Sequence, residues 1–192
     1  MRIGLFGGSF DPIHLGHLIV GRAVAEALGL EELRFMPTGE QPLKRGRHAA
    51  TAAQRAAMVA AAVEGEPVLT LERIEVDRPG PSYTVETLRA LRAREPGREF
   101  VVLLGADAAA ELEQWHEVAA LPGLARLVAF TRAGSGRPSH PLLHQVVETP
   151  AVEISSTAIR QRVAAGRSIR YLVPDAVAEY ITAQGLYRNG PA

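Results

Sequence analysis

The sequence predicts an α/β protein built on a parallel sheet with helices on both faces. Three observations carry that expectation. Short apolar runs rich in β-formers alternate with helix-like stretches along the chain. The runs are apolar throughout rather than at every second residue, as strands buried on both faces require. No repeat, low-complexity tail or long linker interrupts the 192 residues, which suits one domain ending in a small helical part from about residue 155 to 192.

Residues 3–6 open the chain as a buried strand, and residues 15–28 follow as a helix with Gly29 as its stop. Residues 33–36 make a second strand, closed by Pro37. From there to Ala50, the run of Gly39, Pro42, Lys44, Arg45, Gly46 and Arg47 reads as a polar loop. Residues 51–63 form an alanine-rich helix. Residues 69–71 and 74–76 look like strand pieces before the Pro79-Gly80-Pro81 turn. Residues 84–94 are helical, and residues 100–104 are the most apolar strand. Residues 127–130 make another buried strand, followed by a loop over 133–141. Residues 146–147 and 152–154 complete the strand-like set. Two helices end the chain: 156–165, closed by Gly166, and 174–184, with proline in its first turn and Gly185 beyond its end. Ligands of such sheets bind beyond the carboxyl ends of the strands, so function is expected after Phe6, Met36, Leu104 and Phe130.

Composition removes several classes. The 21 basic and 21 acidic side chains cancel, within 47% hydrophobic and 22% charged residues. Zero net charge excludes a strongly basic protein that grips nucleic acid mainly by charge, and equally an acidic disordered chain. With no cysteine, a disulfide framework, a zinc-thiolate site and a cysteine nucleophile are impossible. The first residues lack the apolar core and cleavage site of a signal peptide. The longest apolar run, residues 56–63, falls short of the ~18 residues of a membrane span. A cytoplasmic location with neither membrane nor nucleic-acid partner is expected, and a homo-oligomer stays open. A single lysine, Lys44, stands against 20 arginines, a skew that fits a GC-rich genome.

The first loop, Gly7-Gly8-Ser9-Phe10-Asp11-Pro12-Ile13-His14-Leu15-Gly16-His17, carries the strongest chemistry. Paired glycines after a strand let the backbone approach a bulky anion. The loop lacks a P-loop lysine and the dinucleotide glycine spacing. Three residues apart, His14 and His17 share one face at a helix N-terminus, where amides and the dipole favour phosphate. There they would bind phosphoryl oxygens and stabilise charge on a leaving group. No third ligand at helical spacing supports a metal site.

The second motif is Ile154-Ser155-Ser156-Thr157-Ala158-Ile159-Arg160-Gln161-Arg162. Its hydroxyls suit N-capping, but no Glu or Gln completes a capping box, and Arg160 and Arg162 oppose the helix dipole. A bound anion would offset that conflict. Gly105-Ala106-Asp107 ends the most apolar strand, where Asp107 is either a helix cap or an acceptor for a ribose. Trp115, the only tryptophan, is either a core residue or a stacking platform. Lys44 and Arg132 read either as solvated loop residues or as phosphate contacts.

The two long motifs resemble the nucleotidylyltransferase superfamily. Met36-Pro37, Pro42-x-Lys44, Pro81-Ser82-Tyr83-Thr84, Gly105-x-Asp107, Trp115, Tyr171-Leu-Val-Pro-Asp175 and Gly185-Leu-Tyr187 extend the similarity to its bacterial nicotinate-nucleotide adenylyltransferases, in family order and over essentially the whole chain. The resemblance implies a Rossmann-like nucleotidylyltransferase fold. It also implies transfer of AMP from ATP to nicotinate mononucleotide, giving deamido-NAD and pyrophosphate. By the family pattern His14, His17 and Arg160 are catalytic. Gly8, Ser9, Phe10, Gly16, Gly105, Asp107, Ser156 and Thr157 complete the ATP site, and Thr38, Lys44, Thr84, Trp115 and Arg132 hold the mononucleotide. Mg²⁺ is implied as a bridge between ATP phosphates, without a protein cage.

Thr38, Leu43, His116 and Ala133 replace the family's usual asparagine, histidine, tyrosine and proline, all on the mononucleotide side. The alternatives are a sister transferase acting on nicotinamide mononucleotide or phosphopantetheine, and an ATP sensor without turnover. Trp115 argues against phosphopantetheine, which has no ring to stack. His14, His17 and Arg160 argue against a sensor, which needs affinity but no leaving-group stabilisation.

Overall fold

The computed structural model describes residues 1–39, 48–132, 134 and 136–188. Six strands form one sheet: β1 (Arg2–Gly8), β2 (Glu32–Pro37), β3 (Leu69–Leu71), β4 (Glu99–Gly105), β5 (Arg126–Arg132) and β6 (Gln145–Thr149). Their order is β3-β2-β1-β4-β5-β6, with every neighbouring pair parallel. From β1 the chain builds outward to β3, then returns to β4 on the other side. The strand order therefore reverses between β1 and β4, which opens a crevice beyond their carboxyl ends.

Helices α1 (Leu15–Leu28), α2 (Ala52–Val63), α3 (Ile74–Asp77), α4 (Thr84–Arg94), α5 (Ala106–Ala110), α6 (Ser156–Ala164) and α7 (Asp175–Ala183) connect and follow the strands. The apolar runs become strands because both of their faces are covered. Phe6, Phe35, Val101, Leu103, Val128 and Val147 pack with Val24 of α1, Met58 of α2, Ile159 of α6 and Val177 of α7. The alternate residues Ile3, Leu5, Phe100, Val102, Leu104, Leu127 and Ala129 pack with Val85 and Leu88 of α4. Each such side chain contributes roughly 1.5–3 kcal/mol when fully buried. Gly29 ends α1 in the left-handed conformation at φ 59°, as its position in the sequence implies.

Two strand expectations fail. Residues 74–76 belong to the helical turn α3. Their period-2 alternation mimics a strand, but the Glu72 carboxylate accepts the Ile74 amide at 3.0 Å and Asp77 N donates to the Arg73 carbonyl, which closes a turn instead. Residues 152–154 join no strand, because the sheet ends at Thr149 and Pro150 follows it. The short helix α5 and the 3₁₀ turns Leu112–Gln114 and Val118–Gly123 are not foreshadowed by any pattern in the sequence. Among the described residues no helix is long and apolar enough to cross a membrane.

Candidate active site

Gly8 ends β1, and a neighbouring ring packs against it. The Phe10 ring lies where a Gly8 side chain would stand, 2.8 Å from the Cβ position. Phe10 adopts φ 47°, unusual for a non-glycine residue, and is 2% exposed against Phe6 and Phe35. Its edge also meets the His17 ring at 5.0 Å between centroids. The loop is thus held in a strained shape by a buried aromatic cluster.

His14 is the N-cap of α1 and His17 sits in its first turn. Their rings stack, 3.7 Å between centroids at 22°. The His14 amide donates to His17 Nδ1 at 3.3 Å, so the ring carries its proton on Nε2, as a donor. His14 Nδ1 is buried without a hydrogen-bond partner. Burial pushes the His14 pKa down to about 4; burial and the neighbouring His14 push that of His17 well below its ordinary value. Both shifts favour the neutral imidazole. Gly16 permits this packing: a Cβ there would stand 3.0 Å from His14 Nδ1. The Leu15 amide already donates to the Leu172 carbonyl, leaving the helix terminus to the Gly16 amide and the two rings.

Helix α6 meets this loop from the opposite side. Ser155, not Ser156, caps it, accepting the Ala158 amide at 3.2 Å. Ser156 gives its hydroxyl proton to the Pro12 carbonyl at 2.8 Å, and Arg160 donates to the Asp11 carbonyl at 2.8 Å and to Thr157 Oγ1 at 3.3 Å. The expected clash between Arg160 and the helix dipole is thus relieved partly by a loop carbonyl. Arg162 faces away, donating to the Ser168 carbonyl near the other end of the helix.

Thr38 follows β2 and lies against the same loop, its amide donating to the Gly8 carbonyl at 3.0 Å. Its hydroxyl is buried without a hydrogen-bond partner. Gly39 presses on the segment leading to α4: a Cβ there would stand 2.2 Å from the Glu75 carbonyl and 3.0 Å from Ser82 Oγ. Beneath lies buried Glu75, whose pKa is raised by burial. It accepts the Thr87 hydroxyl at 3.0 Å, and Arg78 donates to Thr87 in turn. Thr84 opens α4 with Tyr83 as N-cap, so its amide is one of the unpaired donors of a helix terminus.

The structure gathers Gly8, Ser9, Phe10, His14, Gly16, His17, Thr38, Ser156, Thr157 and Arg160 around the first loop, through ring contacts and hydrogen bonds. Gly105 and Asp107 stand across the crevice, at the end of β4 beside β1. Gly105 is the N-cap of α5, so exposed Asp107 is not the cap residue. Arg132 ends β5, exposed and, among the described residues, without a side-chain hydrogen bond or ion pair. Trp115 is half-buried and packs against the Leu112 and Leu121 side of the core. Lys44 lies outside the described residues.

A family model described as cytidylyltransferase-like matches residues 5–162. The chain belongs to that family. A protein of Thermus thermophilus named probable nicotinate-nucleotide adenylyltransferase is 47% identical over 188 residues, covering 98% of this chain and 100% of that one. A protein of Roseiflexus sp. RS-1 with the same name is 46% identical over 97% of this chain and 98% of its own length. In fold the chain is similar to the Plasmodium falciparum nicotinic acid mononucleotide adenylyltransferase complexed with NaAD. The TM-score is 0.78 at 18% identity, over 98% of both chains.

This cytidylyltransferase-like chain also uses residues that the motifs did not assign. Asp11, 3% exposed, accepts the Ala49 amide at 2.7 Å, the Ala50 amide at 3.2 Å and the Tyr187 hydroxyl at 2.7 Å. His48 Nε2 lies 3.1 Å from Ser9 Oγ, and Arg55 reaches the loop carbonyls. Asp11 sits inside the first motif and Tyr187 inside the last, so only their pairing was hidden. Arg55 gave no signal beyond a charge within an alanine-rich helix.

Proposed function

We propose that this chain transfers AMP from ATP to nicotinate mononucleotide, giving deamido-NAD and pyrophosphate for NAD synthesis. The observation that carries the reading is the stacked His14–His17 pair at the α1 N-terminus, facing a second helix start through Arg160. In this reaction an oxygen of the mononucleotide phosphate attacks the α-phosphorus of ATP. A new P–O bond forms, the bond to the β-phosphate oxygen breaks, and its electron pair leaves with pyrophosphate. The attacking oxygen is already anionic, so no general base or protein nucleophile is needed. The protein aligns two phosphates and stabilises the charge that builds between them.

His17 donates from Nε2 to the triphosphate, and His14 supplies a second imidazole beside it. Gly8, Ser9, Phe10 and Gly16 shape the space for the phosphates. Ser156 spends its proton on the Pro12 carbonyl, so it and Thr157 serve through first-turn amides, while Arg160 keeps further N–H donors for an oxygen. Gly105 and Asp107 line the adenosine side. For the second substrate, the amides at Thr84 favour the nicotinate carboxylate, Trp115 offers a ring face, and Arg132, Thr38 and Lys44 serve the phosphate end.

The donors here are neutral imidazoles, hydroxyls, amides and a guanidinium, a set that suits phosphate better than Mg²⁺. Among the described residues no three His, Asp or Glu side chains gather to hold a metal ion. An Mg²⁺ ion would be held by ATP oxygens and water rather than by these residues, and would supply neutralisation of leaving-group charge, while the protein residues hold the triphosphate.

The test is pyrophosphate release from ATP with each mononucleotide in turn. Nicotinate mononucleotide is expected to turn over and to outcompete the nicotinamide form. Equal rates would remove the assigned role of the α4 amides, and release with neither would reject the reaction.

A further inference from the structure

Arg55 of α2 is 1% exposed and heads the described side chains that are wholly enclosed, by volume. A guanidinium so far from water is costly unless its donors are satisfied. Its terminal nitrogens go to backbone: Nη1 donates to the Ser9 carbonyl at 2.6 Å, and Nη2 to the Thr38 carbonyl at 2.6 Å and the Gly39 carbonyl at 3.4 Å. Burial lowers its pKa, while the nearby Asp11 carboxylate favours the charge. Asp11 in turn fixes the start of α2 through the Ala49 and Ala50 amides.

Ser9 and Thr38 belong to different loops, after β1 and after β2. In the reaction proposed above, one loop wraps the ATP phosphates and the other opens the mononucleotide side. A single planar group therefore spans both halves of the site from beneath. We propose that Arg55 is a positioning residue that sets the spacing of the two loops, and with it the alignment of the attacking phosphate against the α-phosphorus. The inference rests on the adenylyl-transfer reading. Its chemistry follows from the guanidinium fork, whose two ends hold two carbonyls in one plane. An ammonium gathers its N–H donors on one nitrogen and lacks that fixed plane.

The test uses the whole chain carrying Arg55→Lys or Arg55→Met. Thermal melting checks folding, calorimetry gives the Kd of each substrate alone, and pyrophosphate release gives kcat. For at least one folded variant, each Kd is expected to stay within about threefold of the parent value. Turnover should fall on the order of 10²-fold, since misalignment acts only when both substrates are bound. If Arg55→Lys folds, retaining the charge should not restore turnover. Parental kcat in a folded variant overturns the proposal, as does a loss matched by weaker binding of both substrates. Failure of both variants to fold assigns Arg55 to stability alone and also overturns it. A parent chain that releases no pyrophosphate with this substrate pair rejects the adenylyl-transfer reading itself, and the proposal falls with it.

Discussion

Two clusters of charge lie within this molecule, and they are wired in opposite ways. At the β2–β3 side, Arg34 donates to Glu95 at 2.6 and 2.8 Å, to Glu32 at 2.9 Å and to Glu72 at 3.2 Å, and Arg94 closes the group on Glu72 and Glu95. Side chain meets side chain, and the Arg34 guanidinium pulls the Glu95 pKa down to about 2. Around the first loop, Arg55, Asp11 and Arg160 instead grip backbone carbonyls and amides, while His14 Nδ1, Thr38 Oγ1 and Arg55 Nε stay buried without a partner. A closed network of complementary charges holds elements together and has nothing left to offer. An open one fixes the shape of a loop and leaves those three polar atoms without a protein partner. The first pattern serves stability; the second is the one on which the proposed phosphate site rests.

Breaking the open cluster should harm turnover most. His17→Ala is expected to lower kcat by about 10²–10³-fold, the range for removing one donor to developing charge. ATP binding by calorimetry should weaken far less, and a parental kcat would deny the histidine its role. Breaking the closed cluster should do the reverse. Arg34→Met leaves Glu32 without its cation and Glu72 and Glu95 with Arg94 alone, and is expected to remove about 3 kcal/mol of stability in denaturant unfolding. Its kcat at a temperature where the variant stays folded should match the parent; a large loss would show that the two clusters are not separate.

The smallest effect separates the clusters by pH. His14 titrates lower when folded than its ordinary 6.5, so the unfolded chain takes up a proton that the folded one refuses. Its contribution is complete above pH 6.5 and is lost as pH falls toward 4. Glu95 is depressed from 4.5 to about 2, so its contribution persists above 4.5 and is lost only below that. Melting temperature should therefore fall from pH 6.5 downward in the parent and fall less between 6.5 and 4 in His14→Gln. The scale is about 2–4 °C for each kcal/mol. Identical pH slopes would contradict the burial of His14.

Most of the scaffold was legible because burial on both faces leaves a run of apolar residues, as in β1, β4 and β5. The loop from Gly7 to His17 was legible because glycine, histidine and helix start fall within a few residues of one another. What escaped reading acts across long separations or through the backbone. Nothing local tells Arg55 to seek the carbonyls of residues 9 and 38, and nothing near Glu75 announces that its carboxylate turns inward. The turn at residues 74–77 shows the converse failure, in which residues 74–76 fit a strand pattern while a Glu72 side chain closes the segment into a helix.

The bond from Tyr187 to Asp11 spans 176 residues of chain. During synthesis Asp11 leaves the ribosome long before Tyr187 exists, and closing so wide a loop carries an entropic penalty that only later contacts offset. The loop between β1 and α1 thus acquires one of its anchors late, after the residues of all six strands have been made.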